Sequence, residues 1–380
     1  MTNKQLLIEP RIAHTLERKV ANSKRGLYIP KQYDEVYGAL QKFMSALGYT
    51  NVQINNLKRM SGGASKEQFS YEIVCNELDK PKRLVLRMDP YESIVETCRL
   101  REGQLLRAIS SVVPVPPVFA IDPEGEYMGQ PTLITEFVSG VTKPTDIDSA
   151  SVTGIGTNLG RYAQILTPQF IDNLAAIHSY KPTASDDLSA YVRPKPNTNE
   201  APLYQIGWWS RIWELDRVEA YPMMKLVENW LIRNAPVCED PCIVHGDYRI
   251  GNFMFEEPSG QISAVLDWEF AHFGDFHRDI SWITQKLYGS WDEKGQFLVC
   301  GLLPKDEFLK RYEEKSGRKV DPEKIRYYEV MCAWLSANMC LGTTVKIGLN
   351  ATNHQDLMQT WLSAGGPLFT NHMVDLIRGN

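Results

Sequence analysis

One stretch of the sequence combines the side chains that phosphoryl transfer needs. It reads HGDYRIGN at positions 245–252, and a further acid, Asp267, follows fifteen residues after Asn252 at the end of an apolar segment. Transfer of a phosphoryl group to a hydroxyl needs a carboxylate that orients the hydroxyl and takes its proton, and oxygen ligands for Mg²⁺. Asp247 can meet the first need, and Asn252 with Asp267 the second. The stretch therefore predicts phosphoryl-transfer chemistry.

The spacing of these residues is more specific than the residues themselves. In the protein-kinase template the base Asp and the metal-binding Asn are five positions apart, and a second metal-binding Asp follows on a later strand. At average residue usage, His-Gly-Asp with an Asn five residues after the Asp occurs by chance at roughly 10⁻⁵ of positions. Taken singly, Asp247 could be a turn residue, Asn252 a capping residue and Asp267 a strand-end carboxylate. Their joint occurrence between apolar strands favours the functional interpretation.

The chain before residue 140 predicts a lobe built on a β-sheet. Apolar residues at helical spacing in 31–47 predict a helix that Gly48 ends. Alternating patterns predict two strands with a turn between them in 54–75, and further strands at 83–89, 116–122 and 131–138. Helical spacing at 93–109 predicts one helix that crosses this sheet. The sequence thus predicts a small lobe of five strands and one helix.

After Gly140 the periodicity becomes helical. It predicts helices at 157–178, 204–234 and 322–347, with two short apolar strands at 242–245 and 263–269 that flank the HGDYRIGN stretch. A chain of 380 residues also exceeds the size at which a single hydrophobic core stops growing. We therefore expect an α+β chain of two lobes, with the boundary near 138–145.

Composition favours a small partner. The formal net charge of −5 gives no global attraction to nucleic acid or anionic lipid. The first residues lack the apolar core of a secretory signal, and no apolar stretch has membrane-spanning length. The seven scattered cysteines fit reduced thiols, and Cys238, Cys242 and His245 lack a second ligand pair at zinc-finger spacing. We expect a cytoplasmic monomer or homodimer that binds a small-molecule hydroxyl acceptor, with no nucleic acid and no membrane as partner.

HGDYRIGN followed by VLDWEFAHFGD resembles the aminoglycoside phosphotransferase-like (phosphotransferase enzyme, APH/choline kinase) family over roughly residues 56–282. The resemblance implies a two-lobed protein-kinase-like fold with an N-terminal antiparallel sheet lobe, one crossing helix and a mainly helical C-terminal lobe. Its expected parts are a helical extension at 1–50, a nucleotide-binding lobe at 51–138 and a catalytic and acceptor lobe at 139–380. It also implies ATP and Mg²⁺ as cofactors.

The same resemblance assigns roles within the catalytic stretch. It implies that Asp247 is the base, that Asn252 and Asp267 hold Mg²⁺, and that His245 and Arg249 belong to the catalytic set, with His245 supporting the loop. The Tyr-Arg pair after Asp247 resembles the branch fused to acyl-CoA dehydrogenases in animals, whose substrates are hydroxylated acyl chains. The later segment GDFHRDISW resembles the family's Gly-Asp-Pro-x-x-Asp-Leu, and we expect its two acids, at 275 and 279, to brace the metal-binding loop. His178 is expected to pack beneath the catalytic loop.

The resemblance places the nucleotide in the small lobe. The residues that it assigns to ATP are Ser61, Gly62, Gly63, Ala64 and Ser65 in a turn between strands, Arg87 on a strand, Glu102 on the crossing helix, and Glu136 and Val138 between the lobes. Small residues in a turn let backbone N–H groups approach phosphates, although a Gly-Gly pair is also typical of an ordinary hairpin. Arg87 stands where kinases carry a Lys, as it tends to in the resembling branch, and Arg also binds phosphate well. Glu102 is the expected partner of Arg87, with a solvated helix face as the alternative.

The acceptor site is expected among the helices after the boundary, chiefly 204–234 and 322–363. The first of these segments is rich in Trp, Tyr and Met, and the C-terminal third shows no acidic cluster of the kind that a polycationic aminoglycoside needs. A hydroxy acid or a hydroxyacyl-CoA therefore fits better than an antibiotic. A silent nucleotide-binding module and a protein kinase stay as alternatives, although Ala-Pro-Glu is absent after Asp267. The sequence leaves open the acceptor, the oligomeric state, the role of residues 1–50 and the choice of ATP or GTP.

Overall fold

The structure is a computed structural model that describes residues 6–60, 66–148, 151, 154–353 and 361–378. Its N-terminal lobe is an antiparallel sheet of five strands in the order β1-β2-β3-β5-β4. The strands are β1 (Gln53–Arg59), β2 (Glu67–Val74), β3 (Lys82–Met88), β4 (Val118–Asp122) and β5 (Thr132–Glu136). Every second side chain of β2 is buried, as the period of a strand with one face on a core requires. All five predicted strands are present.

Two helices cover this sheet. Helix α2 (Tyr33–Ala46) buries Val36, Leu40, Phe43 and Met44 against the sheet in one apolar cluster. The crossing helix α3 (Arg99–Ile109) begins six residues later than predicted. The backbone N–H of Ser93 donates to the Glu96 side chain at 2.8 Å instead of starting a helix, and such side-chain to backbone bonds compete with helical ones.

The two helices that precede the sheet pack into different hydrophobic cores. Helix α1 (Pro10–Asn22) packs Ile12 and Leu16 into the core of the C-terminal lobe, whereas α2 packs on the sheet. The chain just before α1 lies so close to a later helix that a Cβ at Gly207 would be 1.8 Å from the carbonyl oxygen of Leu7. Residues 6–50 therefore contact both lobes.

The C-terminal lobe is mainly helical. Its helices are α4 (Tyr162–Ser179), α5 (Glu200–Asp216), α6 (Pro222–Arg233), α7 (His277–Ile283), α8 (Lys305–Ser316), α9 (Pro322–Asn338), α10 (Thr344–Asn350) and α11 (Gly366–Arg378). The single helix predicted at 204–234 is wrong, because the chain leaves the helix at Arg217 and restarts with Pro222 in the first turn of α6. Proline lacks the N–H that a helix interior needs but suits a first turn.

A long buried helix runs through this lobe. A π-helical turn, Met339–Thr343, joins α9 to α10 without a break. Among the described residues one helical segment, Pro322–Asn350, is long and apolar enough to cross a membrane. However, 83% of its most apolar stretch of 18 residues is buried inside the protein. This burial is that of a core helix.

Short strands and turns position the residues of the HGDYRIGN stretch and Asp267. Strand β6 (Cys242–Val244) pairs with β9 (His272–Gly274), and β7 (Phe253–Phe255) pairs with β8 (Ile262–Val265). The second strand predicted here, at 263–269, ends at Val265, because Asp267 has a left-handed backbone with φ of 66° and Trp268–Phe270 form a 3₁₀ turn. A second 3₁₀ turn (Lys286–Tyr288) leads to a small sheet of β10 (Ser290–Trp291), β11 (Phe297–Val299) and β12 (Leu303–Pro304).

Candidate active site

The loop from β6 to β7, residues 245–252, will be called the catalytic loop. Two of its residues are glycines with positive φ, Gly246 at 85° and Gly251 at 91°. A Cβ at Gly246 would lie 2.5 Å from the Cβ of Phe270, so the position tolerates no side chain. The loop can therefore fold back closely on the turn that follows Asp267.

Asp247 is held in one orientation by three side chains. Its Oδ1 accepts hydrogen bonds from Nε of Arg249 at 2.8 Å and from Nε1 of Trp282 at 2.6 Å. Its Oδ2 accepts from Nδ2 of Asn252 at 2.6 Å, and the same nitrogen donates to the Asp247 carbonyl at 2.8 Å. Hydrogen bonds to a carboxylate are the strong ones, so this nearly buried group is fixed before any ligand arrives.

His245 ties the catalytic loop to the Asp267 turn. Its Nδ1 accepts from the backbone N–H of Asp247 at 3.2 Å, so Nε2 carries the proton and donates to the carbonyl of Leu266 at 2.9 Å. Burial lowers the pKa of His245 despite the nearby charge of Asp279, so the ring is neutral, as these two bonds require. The backbone N–H of Leu266 also donates to the carbonyl of Asn252 at 2.7 Å. The predicted supporting role of His245 agrees with these contacts.

A buried carboxylate supports the same loop from below. Asp279 on α7 accepts from the backbone N–H of His245 and of Gly246, each at 2.8 Å. His178 donates to Asp279 from Nε2 at 3.0 Å, and its Nδ1 accepts from the Tyr312 hydroxyl at 2.7 Å. Burial alone would raise the pKa of Asp279, but the hydrogen bonds from His178 and Gly246 bring it to about 2. His178 therefore does lie beneath the catalytic loop, as predicted.

The two acids of GDFHRDISW have different tasks from the one predicted. Asp279 braces the catalytic loop rather than the metal-binding loop, because its oxygens face backbone N–H groups before Asp247. Asp275 instead bonds the first residue of α7, since its Oδ1 accepts from the backbone N–H of His277 at 3.1 Å and from its Nδ1 at 2.5 Å. The spacing of the two acids reveals their presence but not which backbone they face.

Arg87 joins the two lobes through a pair of carboxylates. Its guanidinium donates to Oε1 of Glu102 on α3 at 2.8 Å and to Oδ1 of Asp267 at 2.9 Å. Burial alone would raise the pKa of Asp267, but the charges of Arg87 and Arg249 lower it, so the group is ionised at neutral pH. Glu102 is 2% exposed, which rules out the solvated helix face considered for it. The structure thus brings together the Arg and Glu that the sequence paired.

Sequence reasoning missed the buried charges around this pair. Lys66 lies 3.3 Å from Asp89 and 3.9 Å from Glu269, and Arg99 lies 3.0 Å from Asp89 and also contacts Glu102. Burial and the neighbouring charge of Asp267 raise the pKa of Glu269 to about 7. Charged side chains interrupt apolar periodicity, so their burial left no sequence signal. Trp282 was missed because its indole donor follows Asp247 by 35 residues.

The structure describes only some of the other residues predicted to bind the nucleotide. The loop Ser61–Ser65 lies outside the described residues. In the segment between the lobes, the backbone N–H of Glu136 donates to the carbonyl of Pro117 at 2.8 Å, so only the carbonyl of Glu136 can be offered to a ligand. No backbone hydrogen bond between described residues outside helices and strands uses the N–H of Val138. Among the described residues, that N–H therefore has no backbone partner and could still donate to a ligand.

The oxygen ligands present suit a hard cation. Because Nδ2 of Asn252 makes both bonds to Asp247, its Oδ1 points the other way, and Asp267 has one oxygen beyond the one bonded to Arg87. The described residues contain no group of three or more His, Cys, Asp or Glu side chains arranged to hold a metal alone. Mg²⁺ is usually bound by one or two protein oxygens together with substrate phosphates, and this pair fits that pattern.

Curated relatives carry this domain within longer proteins. The chain is 24% identical over 212 residues to acyl-CoA dehydrogenase family member 10 of Mus musculus, covering 54% of this chain and 18% of the relative. It is 26% identical over 316 residues to the probable acyl-CoA dehydrogenase IBR3 of Arabidopsis thaliana, covering 77% of this chain and 36% of the relative. The matched region thus spans at most about a third of these relatives.

Solved structures share the fold over nearly the whole chain. A putative aminoglycoside phosphotransferase from Ralstonia eutropha JMP134 superposes with a TM-score of 0.59 at 22% identity, covering 90% of this chain and 98% of that one. Choline kinase LicA from Streptococcus pneumoniae gives 0.53 at 16% identity, with the same coverages of 90% and 98%. The aminoglycoside phosphotransferase APH(4)-Ia, in a ternary complex with ADP and hygromycin B, gives 0.51 at 16% identity and covers 87% and 97%.

The sequence profile of the phosphotransferase enzyme family matches residues 57–328. This span contains the catalytic loop, Asp267, Arg87 and Glu102, and it is more than half of the chain. The predicted α+β, two-lobed kinase-like fold is confirmed. The chain therefore belongs to the phosphotransferase enzyme family and is an enzyme of the phosphotransferase class, with an alcohol group as acceptor.

Proposed function

We propose that this protein transfers the γ-phosphate of ATP to a hydroxyl of a small acceptor in a reaction that depends on Mg²⁺. The observation that carries the proposal is the assembly of Asp247, Asn252 and Asp267 at the junction of two lobes, with Arg87 bonded to the last of them. Each residue has the chemistry that its place in the reaction demands. The small lobe, residues 51–138, would bind ATP, and residues 139–380 would carry the catalytic residues and the acceptor.

Asp247 would orient the acceptor hydroxyl and accept its proton. The carboxylate is fixed by Trp282, Arg249 and Asn252, so no reorganisation is needed when the hydroxyl docks. Holding reacting groups in place is a large part of the barrier reduction in phosphoryl transfer. Arg249, which bonds Asp247 and lies over the Tyr288 ring at 5.0 Å, keeps a positive charge where negative charge develops on the transferred group.

Asn252 and Asp267 would hold Mg²⁺, which would neutralise part of the charge of the phosphates. Asp267 is available as an ionised ligand because Arg87 lowers its pKa. Arg87 would reach the phosphates from the strand, and the 61–65 turn would offer backbone N–H groups. Solved relatives of this fold hold ADP or AMP-PNP, which supports a nucleotide as donor.

The acceptor that we propose is a hydroxy acid or its CoA thioester. The curated relatives are named as acyl-CoA dehydrogenases, which supports acyl chemistry. An aminoglycoside would require free carboxylates, but the buried acids Asp216 and Glu92 are paired with lysines: Asp216 on α5 lies 3.0 Å from Lys19 and 3.2 Å from Lys346, and Glu92 lies 2.8 Å from Lys346. All seven cysteines are free and buried, which supports a reducing, cytoplasmic setting.

Thermal unfolding tests the nucleotide site directly. ATP and GTP are each added with and without Mg²⁺, since a ligand at 100 times its Kd stabilises the folded state by about 2.7 kcal/mol. We expect a Mg²⁺-dependent rise in Tm with ATP that Asp267→Asn abolishes. Asp172→Asn is the matched control, because that carboxylate is half-exposed and bonds Lys315 on the surface.

Turnover tests the chemistry. ADP release is measured with hydroxy acids, hydroxyacyl-CoA esters and aminoglycosides as acceptors. Asp247→Ala should remove turnover while leaving the Tm shift with ATP almost unchanged, because Asp247 faces the hydroxyl and not the nucleotide. Full turnover in Asp247→Ala would show that the base is another residue. Absence of any nucleotide shift at millimolar concentration would favour a silent module instead.

A further inference from the structure

Arg278, on α7, is a buried cation without a carboxylate partner. Its side chain is 1% exposed, yet among the described residues no carboxylate oxygen lies within the 4.0 Å of an ion pair. Its contacts there are Cys332 Sγ at 3.3 Å, the carbonyl of Gly246 at 3.4 Å and the Trp282 ring, whose centroid is 4.7 Å from the guanidinium carbon. Its Nε has no partner. Two long contacts do not satisfy a group with five N–H donors.

The other fully buried arginines provide the comparison. Arg99 pairs with Asp89 at 3.0 Å, and Arg101 pairs with Glu9 at 2.5 Å. A buried charge with no opposite charge in contact is costly. Arg278 thus departs from the rule that this chain otherwise follows, and it does so beside the catalytic loop.

The position of Arg278 relates it to the acceptor rather than to the nucleotide. It contacts the carbonyl of Gly246, the residue before Asp247, and stacks on Trp282, whose indole N–H holds Asp247. Its other neighbour, Cys332, lies on α9 in the C-terminal lobe. A molecule with its hydroxyl at Asp247 would need only a short chain to reach this guanidinium.

Two aromatic side chains of the C-terminal lobe have buried hydrogen-bond donors without acceptors among the described residues. Trp209 stacks on Phe270 with centroids 5.9 Å apart, and Phe270 lies 6.4 Å from Trp282. Nε1 of Trp209 and the hydroxyl of Tyr328 are buried with no hydrogen-bond partner in the described chain. Tyr328 lies one helical turn before Cys332, on the same face of α9. An unpaired hydroxyl one helical turn from the residue that contacts this buried cation fits an anionic group held in apolar surroundings.

We propose that Arg278 binds the carboxylate of a hydroxy acid whose hydroxyl is presented to Asp247, so that it selects anionic acceptors. The inference rests on the proposed kinase function and deepens it by assigning the residue that recognises the acid. It favours a free acid over a thioester, because only the free acid brings a negative charge to this point. The planar fork of Arg suits a carboxylate, which it can bind with two N–H groups.

The test measures binding, so that it does not depend on turnover. Tryptophan fluorescence follows titration with straight-chain hydroxy acids of three to ten carbons and with their neutral amides, in the presence of AMP-PNP and Mg²⁺. The wild type should bind at least one acid more tightly than its amide. Arg278→Met should weaken that binding by about 10- to 150-fold, the range for a hydrogen bond to a charged group, and Arg278→Lys should recover only part of it. Amide binding should change much less.

Stability separates recognition from a merely structural role. Because Arg278 has no ion pair to lose, Arg278→Met should leave the Tm of the free protein unchanged or higher. The matched control is Arg311→Gln, an exposed arginine of α8 that pairs with Glu307, and it should alter neither acid nor amide binding. If Arg278→Met fails to fold, Arg278→Lys still provides the comparison of acid with amide.

The results that overturn the proposal are distinct from those that overturn the kinase function. Equal losses for acid and amide, or no binding of any hydroxy acid by the wild type, would show that Arg278 is not an acceptor site. The Mg²⁺-dependent Tm shift with ATP would persist in either case. Loss of that shift in the wild type would instead contradict the kinase function itself.

Discussion

The support of the catalytic loop by Asp279 gives a prediction that can be worked out in numbers. Replacement of Asp279 by Asn keeps the shape but turns an NH₂ group toward backbone or ring N–H donors, because both carboxylate oxygens accept bonds from His178, His245 and Gly246. At least one buried donor then has no acceptor, and charged hydrogen bonds are lost. We expect a loss of about 2–5 kcal/mol in the free energy of unfolding at neutral pH.

The pH dependence of this loss has a defined sign. The pKa of Asp279 falls from its ordinary 3.8 to about 2 in the folded protein, which corresponds to roughly 2 kcal/mol at neutral pH. A lowered carboxyl pKa stabilises above the unfolded pKa and loses its effect as pH falls through the folded value. About half of this stabilisation should therefore be gone by pH 3. The Asn variant lacks this pH-dependent contribution. The gap in unfolding free energy between wild type and variant should therefore narrow as the pH falls.

Urea unfolding followed by tryptophan fluorescence at pH 6, 5, 4 and 3 measures this gap. The control is Asp172→Asn, since that acid is half-exposed on the surface and should show neither the loss nor the trend. In parallel, kcat should fall, because the N–H groups that Asp279 holds lie immediately before Asp247. A gap that stays constant from pH 6 to pH 3, or a variant as stable as the wild type, would refute the reasoning.

Three further changes test the geometry around the base and the strand arginine. Trp282→Phe removes the 2.6 Å donor to Asp247, so kcat should fall by about 10- to 150-fold in steady-state ADP release, with the KM for ATP unchanged. Arg87→Lys keeps the charge but cannot bond two acids as a fork, so the KM for ATP should rise by about tenfold in the same assay. Glu102→Gln leaves Arg87 and Arg99 short of a buried countercharge and should cost about 3–5 kcal/mol in urea unfolding; an unchanged midpoint would show that the other acids suffice.

Local patterns in the sequence predicted the sheet and the motif but not the contacts between them. The strands follow from side-chain alternation, which depends on near neighbours, and the spacing of Asp247, Asn252 and Asp267 follows from a loop of fixed length. The break at Arg217–Tyr221 was missed because Trp and Tyr continue a helical period across it, although Pro222 marked a possible helix start. Apolar periodicity alone therefore predicted one continuous helix where the chain forms two.

The contacts that fix Asp247 come from separate parts of the chain. Trp282 lies 35 residues away, and His178, which holds Asp279, lies 101 residues from it. A core Trp that donates to a catalytic carboxylate has the same sequence pattern as one that only fills space, and the same holds for a buried Arg. Only the fold shows that Arg99 and Arg101 are paired and that Arg278 has no carboxylate partner in the described part of the chain. Such roles depend on which charged side chains are in contact in the folded protein, and composition and spacing do not predict those contacts.

The departure of this chain from the usual strand Lys has a structural explanation. A Lys at position 87 would offer one compact charge, whereas Arg87 donates from two nitrogens to two acids, Glu102 in the small lobe and Asp267 at the catalytic loop. Bonded in this way, Arg87 holds the carboxylate proposed to bind Mg²⁺ and keeps it ionised, and the same guanidinium is proposed to reach the phosphates. ATP binding and the approach of the two lobes would therefore be coupled through one side chain, and Arg87→Lys should weaken both together.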